Sequence, residues 1–234
     1  QTFTEPGRLH ATYNFDLLEH GGLTVSEMKE AISNAIELFN GSGRLSFAFS
    51  NHDVPRSASR QLSPLGIALD KQDDLQLLLL QLETSLIGST CIYQGEELGL
   101  SDVTDIDFDK MKDPWGINFY PDFLGRDTCR TPMVWEKNKP MGGFTSANES
   151  WLPISKSHLE KAGLDMVKSE GSIYNKFSSF LKWRKQQPAM MTANNMSSIT
   201  GGPKEIIFDR ISKTQILRCK FDFELVKATF EEVT

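Results

Sequence analysis

The sequence predicts an α/β fold with parallel strands, followed by a separate β module. Three observations carry this. First, a short strand, a long apolar helix and a second short strand follow one another between about residues 44 and 93 with no hairpin turn among them, and this order is a βαβ unit with parallel pairing. Second, an amphipathic helix precedes that unit. Third, from about Ala189 the apolar period changes from helical to two, the period of half-buried strands.

The first helix spans about 25 to 39. Met28, Ala31, Ile32, Ala35, Ile36 and Phe39 recur at helical spacing and form one apolar stripe. Thr24 and Glu27 stand at the spacing of a capping box, and Asn40-Gly41 is the expected stop, since glycine accepts the left-handed conformation that closes a helix. In the strand expected at about 44 to 49, bulky Leu45, Phe47 and Phe49 alternate with small Ser46 and Ala48. The second helix, about Asp73 to Ile87, has leucines on nearly every side, so more than one neighbour should bury it. Asp73 and Asp74 place carboxylates at its positive end. Thr90 to Tyr93 is the next strand. Residues 95 to 170 are rich in proline and glycine and read as irregular, and so long a stretch in a compact domain is usually functional or disordered; its many aromatic residues, among them Trp115, Phe123, Trp135 and Trp151, argue against disorder. A third helix, about Ile173 to Gln187, ends at Pro188. Ile206-Ile207-Phe208 and Ile216-Leu217 are expected strands around a turn near Ser212-Lys213. No internal repeat is visible.

Composition narrows the function. The 234 residues carry a net charge of -6, which argues against a binder of nucleic-acid phosphates. An apolar content of 39% with 10% aromatic residues excludes a disordered chain. Cys91, Cys129 and Cys219 form no paired spacing, which suggests a reducing, cytoplasmic setting and no metal cage. No apolar run is long enough to span a bilayer. The chain starts at Gln1 without a signal-peptide pattern, so it is expected not to begin where its gene begins. In that light the glycosylation-type triplets at Asn40, Asn148 and Asn195 are read as chance.

The most informative stretch is FAFSNHDVPR, residues 47–56. It sets Asn51, His52 and Asp53 directly after the carboxyl end of a strand, where ligands bind in parallel α/β folds. Three consecutive polar residues need partners if buried. A capped turn accounts for the same residues equally well, because Asn and Asp favour turns.

This string resembles the fourth sequence region of glycoside hydrolase family 13, the α-amylase and α-glucosidase family. Four further stretches resemble the same family in the same order: RLHATYNFDLL (8–18), YQGEELGL (93–100), DPWGINFYPDFLGRDTCRTPMVW (113–135) and FSSFLKWRKQQPAM (177–190). The long loop leans toward bacterial α-glucosidases and oligo-1,6-glucosidases, although Thr128 stands where the family often has glycine. The resemblance implies the last strands and helices of a (β/α)8 TIM barrel over residues 1–188, then a truncated C-terminal β-sandwich over 189–234. It implies a retaining α-glucosidase acting on a small oligosaccharide or disaccharide, with no cofactor, no nucleic acid and no membrane. A glucosyl transferase or sucrose isomerase of the same family, or a non-catalytic barrel relative acting as a binding subunit, are the alternatives.

Position by position, Asp53 matches the family's transition-state-stabilising carboxylate, and His52 matches the histidine that contacts the same sugar. Asn51 orients the loop. Arg130 matches an arginine returned to the pocket by the long loop, and a guanidinium fork suits paired hydroxyls beside a carboxylate. Arg126 is a further candidate, with a surface ion pair as the alternative. Gln94, Glu96 and Glu97 match the loop bordering the acceptor side, at least one of the glutamates being structural, and Arg56 is expected to brace Asp53. Trp115, Phe119 and Tyr120 either stack on sugars or pack the loop. His10, His20 and His158 read as surface or internally satisfied residues. The family's nucleophilic Asp and acid Glu, which flank the scissile bond, lie before the segment resembling residues 8–18, and so do its calcium ligands. The chain is therefore expected to be a C-terminal portion of the enzyme, inactive alone, with no metal site.

Overall fold

A computed structural model describes Thr4 and residues 7–39, 45–191 and 195–233. The expected helix stop at Asn40-Gly41, the triplet at Asn40 and the chain start at Gln1 lie outside these residues. The first sheet is parallel throughout. Its strands β1 (Thr12–Tyr13), β2 (Leu45–Phe47) and β3 (Ser89–Thr90) lie in the order β1-β2-β3, with Thr12 opposite Leu45 and Ser46 opposite Ser89. Among the described residues this sheet is open and closes no barrel.

Helix α1 (Val25–Phe39) links β1 to β2. Its capping box is formed: Thr24 N donates to Glu27 Oε2 at 2.8 Å and Glu27 N donates to Thr24 Oγ1 at 3.3 Å, which satisfies two of the amides left free at a helix start. The link from β2 to β3 holds two helices, α2 (Ser57–Leu65) and α3 (Gln72–Ser85). Helix α2 is short and rich in polar residues, its apolar positions are Ala58, Leu62 and Leu65, and Pro64 sits inside its last turn. Gly66 closes it in the left-handed conformation, φ 68°, its N–H bonding back to Leu62 and Ser63 carbonyls, as a helix stop does.

Helix α3 is the wall between two layers. Leu75, Leu78, Leu79 and Leu82 join Met28 and Ile32 of α1 and Phe47 beneath the parallel sheet, in one core with Phe208 and Phe221 of the C-terminal sheet. On another side Leu80 meets Phe177 and Phe180 of α7 (Ile173–Arg184). The helix ends at Ser85, two residues before the expected Ile87, because Leu86 turns extended. No basic side chain of its own faces its last carbonyls. Arg184 of α7 instead donates to Thr84 O at 2.6 Å, and Arg210 donates to Ser85 O and Leu86 O at 2.7 and 2.8 Å. Cations at the negative end of a helix stabilise it, and these two also tie three elements together.

The stretch from 95 to 170 is built from 3-10 turns and three short helices, α4 (Pro114–Phe119), α5 (Lys156–Leu159) and α6 (Gly163–Lys168). Pro188 opens a further turn, α8 (Pro188–Met191), in addition to following α7. The C-terminal sheet is an antiparallel meander of β4 (Asn195–Met196), β5 (Glu205–Ile211), β6 (Ile216–Asp222) and β7 (Lys227–Glu232). Ile206, Phe208, Leu217, Cys219 and Phe221 face inward. They pack on helices: where the sequence predicts a sandwich, the described residues form one sheet against a helical layer. Among the described residues no helix is long and apolar enough to cross a membrane.

Glu83, near the end of α3, is buried, and its Oε1 has no hydrogen-bond partner. Burial, reinforced by repulsion from Glu96, raises its pKa well above the ordinary carboxylate value against the pull of the Phe49 and Cys91 amides. A carboxyl whose folded pKa exceeds its unfolded one favours folding below the unfolded pKa, and that contribution is lost as pH rises toward the folded pKa. Stability is therefore expected to fall as pH climbs above the ordinary carboxylate range. Glu83→Gln should flatten that fall and leave acid stability unchanged, as read by urea unfolding across a pH series.

Candidate active site

The loop that carries Asn51, His52 and Asp53 leaves the carboxyl end of β2 and enters α2. Both of its ends are held by one carboxylate. Ser50 Oγ donates to Glu96 Oε1 at 2.6 Å and Ser57 Oγ donates to the same oxygen at 2.7 Å, while Tyr93 N donates to Oε2 at 2.9 Å. Ser57 N completes the knot on Ser50 Oγ at 2.7 Å. Glu96 itself sits in the 3-10 turn Glu96–Leu98 after β3, entered through Gly95 at φ 87°. A side chain at Gly95 would meet Leu100 and the Arg56 guanidinium, so the turn needs glycine. Inside the loop, Asp53 N donates to Asn51 Oδ1 at 2.8 Å, the turn that the sequence allows as one reading of these residues.

Asp53 is the meeting point. Its side chain is 48% exposed. Arg130 Nη2 donates to Oδ1 at 2.8 Å and Arg126 Nη1 donates to the same oxygen at 3.2 Å, whereas His52 Nε2 lies 3.4 Å from Oδ2. Arg130 also donates through Nε to His52 O at 2.6 Å. Burial pushes the Asp53 pKa upward. The Arg126 hydrogen bond and the charges of His52 and Arg130 outweigh it and hold the carboxyl below its ordinary value. Asp53 is thus an ionised carboxylate with one oxygen gripped by two arginines and the other turned to solvent and a histidine.

Arg56 lies beneath this ring. It is buried, its Nη1 donates to Gln94 O at 2.5 Å and Nη2 to Cys129 O at 3.3 Å, and its head stacks 5.0 Å from the Tyr93 ring centre. Its bonds join the loop after β3 to the loop that carries Arg130, while the bracing of Asp53 falls to Arg126 and Arg130. Tyr93 OH donates to the same Cys129 O at 3.0 Å. Asp102 accepts Arg56 N with both oxygens, at 3.0 and 3.1 Å, supplying the cap that α2 lacks; burial lifts its pKa to about 6 against the pull of Arg56 and Arg60. Arg60 in turn donates to the carbonyls of Leu17, Glu19 and Pro55 at 2.7 to 2.9 Å, holding the segment after β1 against α2.

Of the residues expected at the site, Asn51, His52, Asp53, Arg126 and Arg130 come together. Gln94 is exposed and its backbone oxygen serves Arg56. Glu96 is 0% exposed, with Oε1 committed to the loop ends and Oε2 to Tyr93 N, so it lies under the site, and Glu97 accepts from Gly95 N at 2.8 Å. Trp115, Phe119 and Tyr120 are all exposed on and beside α4; Trp115 packs edge-on to Phe123 at 5.1 Å. His158 is buried, and one ring nitrogen lies 2.8 Å from Ser101 O. Sequence reasoning missed Asp113, which grips Arg126; its place directly before Pro114 was the available sign, since Asp before a proline at the first helical position is a helix-cap pattern. No group of three metal-ligating side chains converges among the described residues.

Residues 10–193 match the α-amylase family, described as the α-amylase catalytic domain. The chain belongs to this family. A probable α-glucosidase of Rhizobium meliloti is 41% identical over 183 residues, which are 78% of this chain and 32% of that protein. An oligo-1,6-glucosidase of Halalkalibacterium halodurans is 25% identical over 225 residues, 86% of this chain and 39% of that protein. Among solved structures, the α-glucosyl transfer enzyme XgtA superposes with a TM-score of 0.82 at 34% identity, covering 94% of this chain and 39% of its own. This α-amylase-family chain therefore spans about a third to two-fifths of the length of these relatives.

The electrostatic grip on Asp53 is open to direct measurement. Arg130→Ala removes a hydrogen bond and a nearby positive charge, so the Asp53 titration midpoint should move up toward the ordinary carboxylate value. A carboxyl-carbon NMR titration of Asp53 in both proteins reads this, with Asp53→Asn giving the assignment.

Proposed function

We propose that this chain supplies the transition-state-stabilising part of a retaining α-glucosidase site, within the back portion of a (β/α)8 barrel (residues 1–188) followed by a small C-terminal β domain (189–234). The observation that carries the reading is the Asp53 carboxylate, ionised, half-exposed at the carboxyl end of a parallel strand and fixed through one oxygen by Arg126 and Arg130. Three parallel strands with helical crossovers and the match to α-amylase catalytic domains support the barrel assignment.

In this reading Asp53 Oδ2 accepts hydrogen bonds from hydroxyls of the sugar being cleaved. As the ring flattens toward an oxocarbenium ion, those hydroxyls become more acidic and the bonds strengthen. The interaction is then greater in the transition state than in the ground state, which is what lowers a barrier. His52 bonds the same sugar from its exposed position. Arg130 and Arg126 keep Asp53 ionised and still, so the field it applies needs no reorganisation during the reaction. The nucleophilic Asp and acid Glu come from the part of the enzyme that precedes these residues in family members. The substrate is a neutral malto- or isomalto-type oligosaccharide or a disaccharide, and the setting is cytoplasmic. The similarity to an α-glucosyl transfer enzyme favours a second outcome of the same chemistry, in which a sugar in place of water takes the glycosyl group.

In the full-length enzyme, Asp53→Asn should lower kcat on maltose-like substrates by about two to three orders of magnitude, the scale for losing one preorganised electrostatic contact. Near wild-type turnover would overturn the assignment. Chromatography of the products separates glucose release from glucosyl transfer. The 234-residue chain by itself should give no turnover of a chromogenic α-glucoside.

A further inference from the structure

Arg126 is shared between two carboxylates, and the second one is unlike the first. Asp113 is fully buried, with 0% of its side chain exposed, against 48% for Asp53. Its Oδ1 accepts Arg126 Nη2 at 2.7 Å and its Oδ2 accepts Arg126 Nε at 3.1 Å. The Arg126 backbone N–H donates to the same Oδ2 at 2.7 Å, and Trp115 N donates to Oδ1 at 3.3 Å as the cap of α4. The carboxylate has room there because residue 125 is glycine, at φ 67°, where a Cβ would stand 2.6 Å from Asp113 Oδ2. Below it, Asp127 Oδ2 accepts the backbone N–H groups of Lys112 and Asp113 at 2.6 and 2.9 Å, fixing the chain that presents Asp113. Of the guanidinium, Nη1 is the nitrogen that reaches Asp53, at 3.2 Å.

We propose that Asp113 is a positioning residue for the reaction: it takes the Nε–Nη2 edge of the Arg126 guanidinium so that Arg126 gives Asp53 a single contact, through Nη1, and leaves Asp53 Oδ2 to the substrate. An arginine without this partner is free to turn its two-pronged face onto Asp53, the geometry guanidinium and carboxylate prefer, and to compete with sugar hydroxyls. The built pocket around Asp113 spends a buried carboxylate on preventing that. This inference rests on the α-glucosidase-type reading of Asp53.

A mutant cycle in the full-length enzyme tests it. Asp113→Asn keeps an acceptor for the Trp115 amide and should fold, with a melting curve as the check. It is expected to lower kcat about tenfold or more while KM changes less than about threefold, since misplacing a group at the reacting centre costs rate before binding. In an Arg126→Ala background the same Asp113→Asn change should alter kcat by less than about twofold, because a residue acting through Arg126 has nothing left to act on. Equal losses in both backgrounds, or no loss in either, would overturn the proposal. A second readout is independent of turnover. The Arg126 Nε–H resonance, assigned by its loss in Arg126→Lys, should exchange slowly with water in the wild type and rapidly in Asp113→Asn. Unchanged exchange would defeat the proposal even if the protein turns over no α-glucoside, and absence of that turnover would by itself defeat only the reading on which it rests.

Discussion

The arrangement of the site depends on one buried carboxylate that does not belong to it. Glu96 takes two serine hydroxyls and a backbone amide. Those serines bracket the loop of Asn51 to Arg56, so a single oxygen closes that loop at its base. A buried ionisable group is costly unless its lone pairs are occupied. Here two of the three contacts that satisfy Glu96 close the loop that carries Asp53, and the third, from Tyr93 N, holds Glu96 in its own turn, so much of the cost of burying it is offset by bonds that shape the loop. The turn through Gly95 puts Glu96 there, and the Arg56 guanidinium closes over that turn.

From this base the surroundings of Asp53 are assembled by arginines. Arg56 works below the loop, joining the turn after β3 to the chain that leads into Arg130. Arg130 and Arg126 work above it on Asp53. All three belong to loops, yet each is held by several directed bonds. The long stretch from 95 to 170 is thus a hydrogen-bonded lining: its 3-10 turns and short helices bury Asp113, Asp127 and Cys129 while its aromatic residues on α4 stay at the surface.

The C-terminal sheet is tied to the same framework. It shares a core with α1 and α3, and Arg210 spans from β5 to the last carbonyls of α3. Together with Arg184 this replaces the basic last turn that α3 lacks. Polar staples at a helix end and apolar contact along its length hold β5 and α7 against the helix that separates β2 from β3.

Much of this was legible in the sequence. The capping box of Thr24 and Glu27, the leucine-rich α3, the alternation of β5 and the Asn51-His52-Asp53 loop after a strand are all local patterns, set by steric and hydrogen-bonding preferences within a few residues. Helix α2 was hidden because it is short and polar-rich, with Pro64 inside it, and β7 because its residues are exposed or half-buried without alternation. The site residues divide in the same way. Asp53, His52 and Arg130 were visible through their motifs and a structural glutamate after β3 was expected, whereas the partners of Glu96 and the roles of Asp113 and Arg56 were not visible. The bond from Ser50 to Glu96 crosses 46 residues and the one from Arg126 to Asp53 crosses 73. No local periodicity encodes such pairings. By itself the sequence determined which carboxylate stands at the end of the strand. Only the tertiary structure decided which charges surround it, because its arginine partners stand 73 and 77 residues further along the chain and are brought within hydrogen-bonding reach by packing alone.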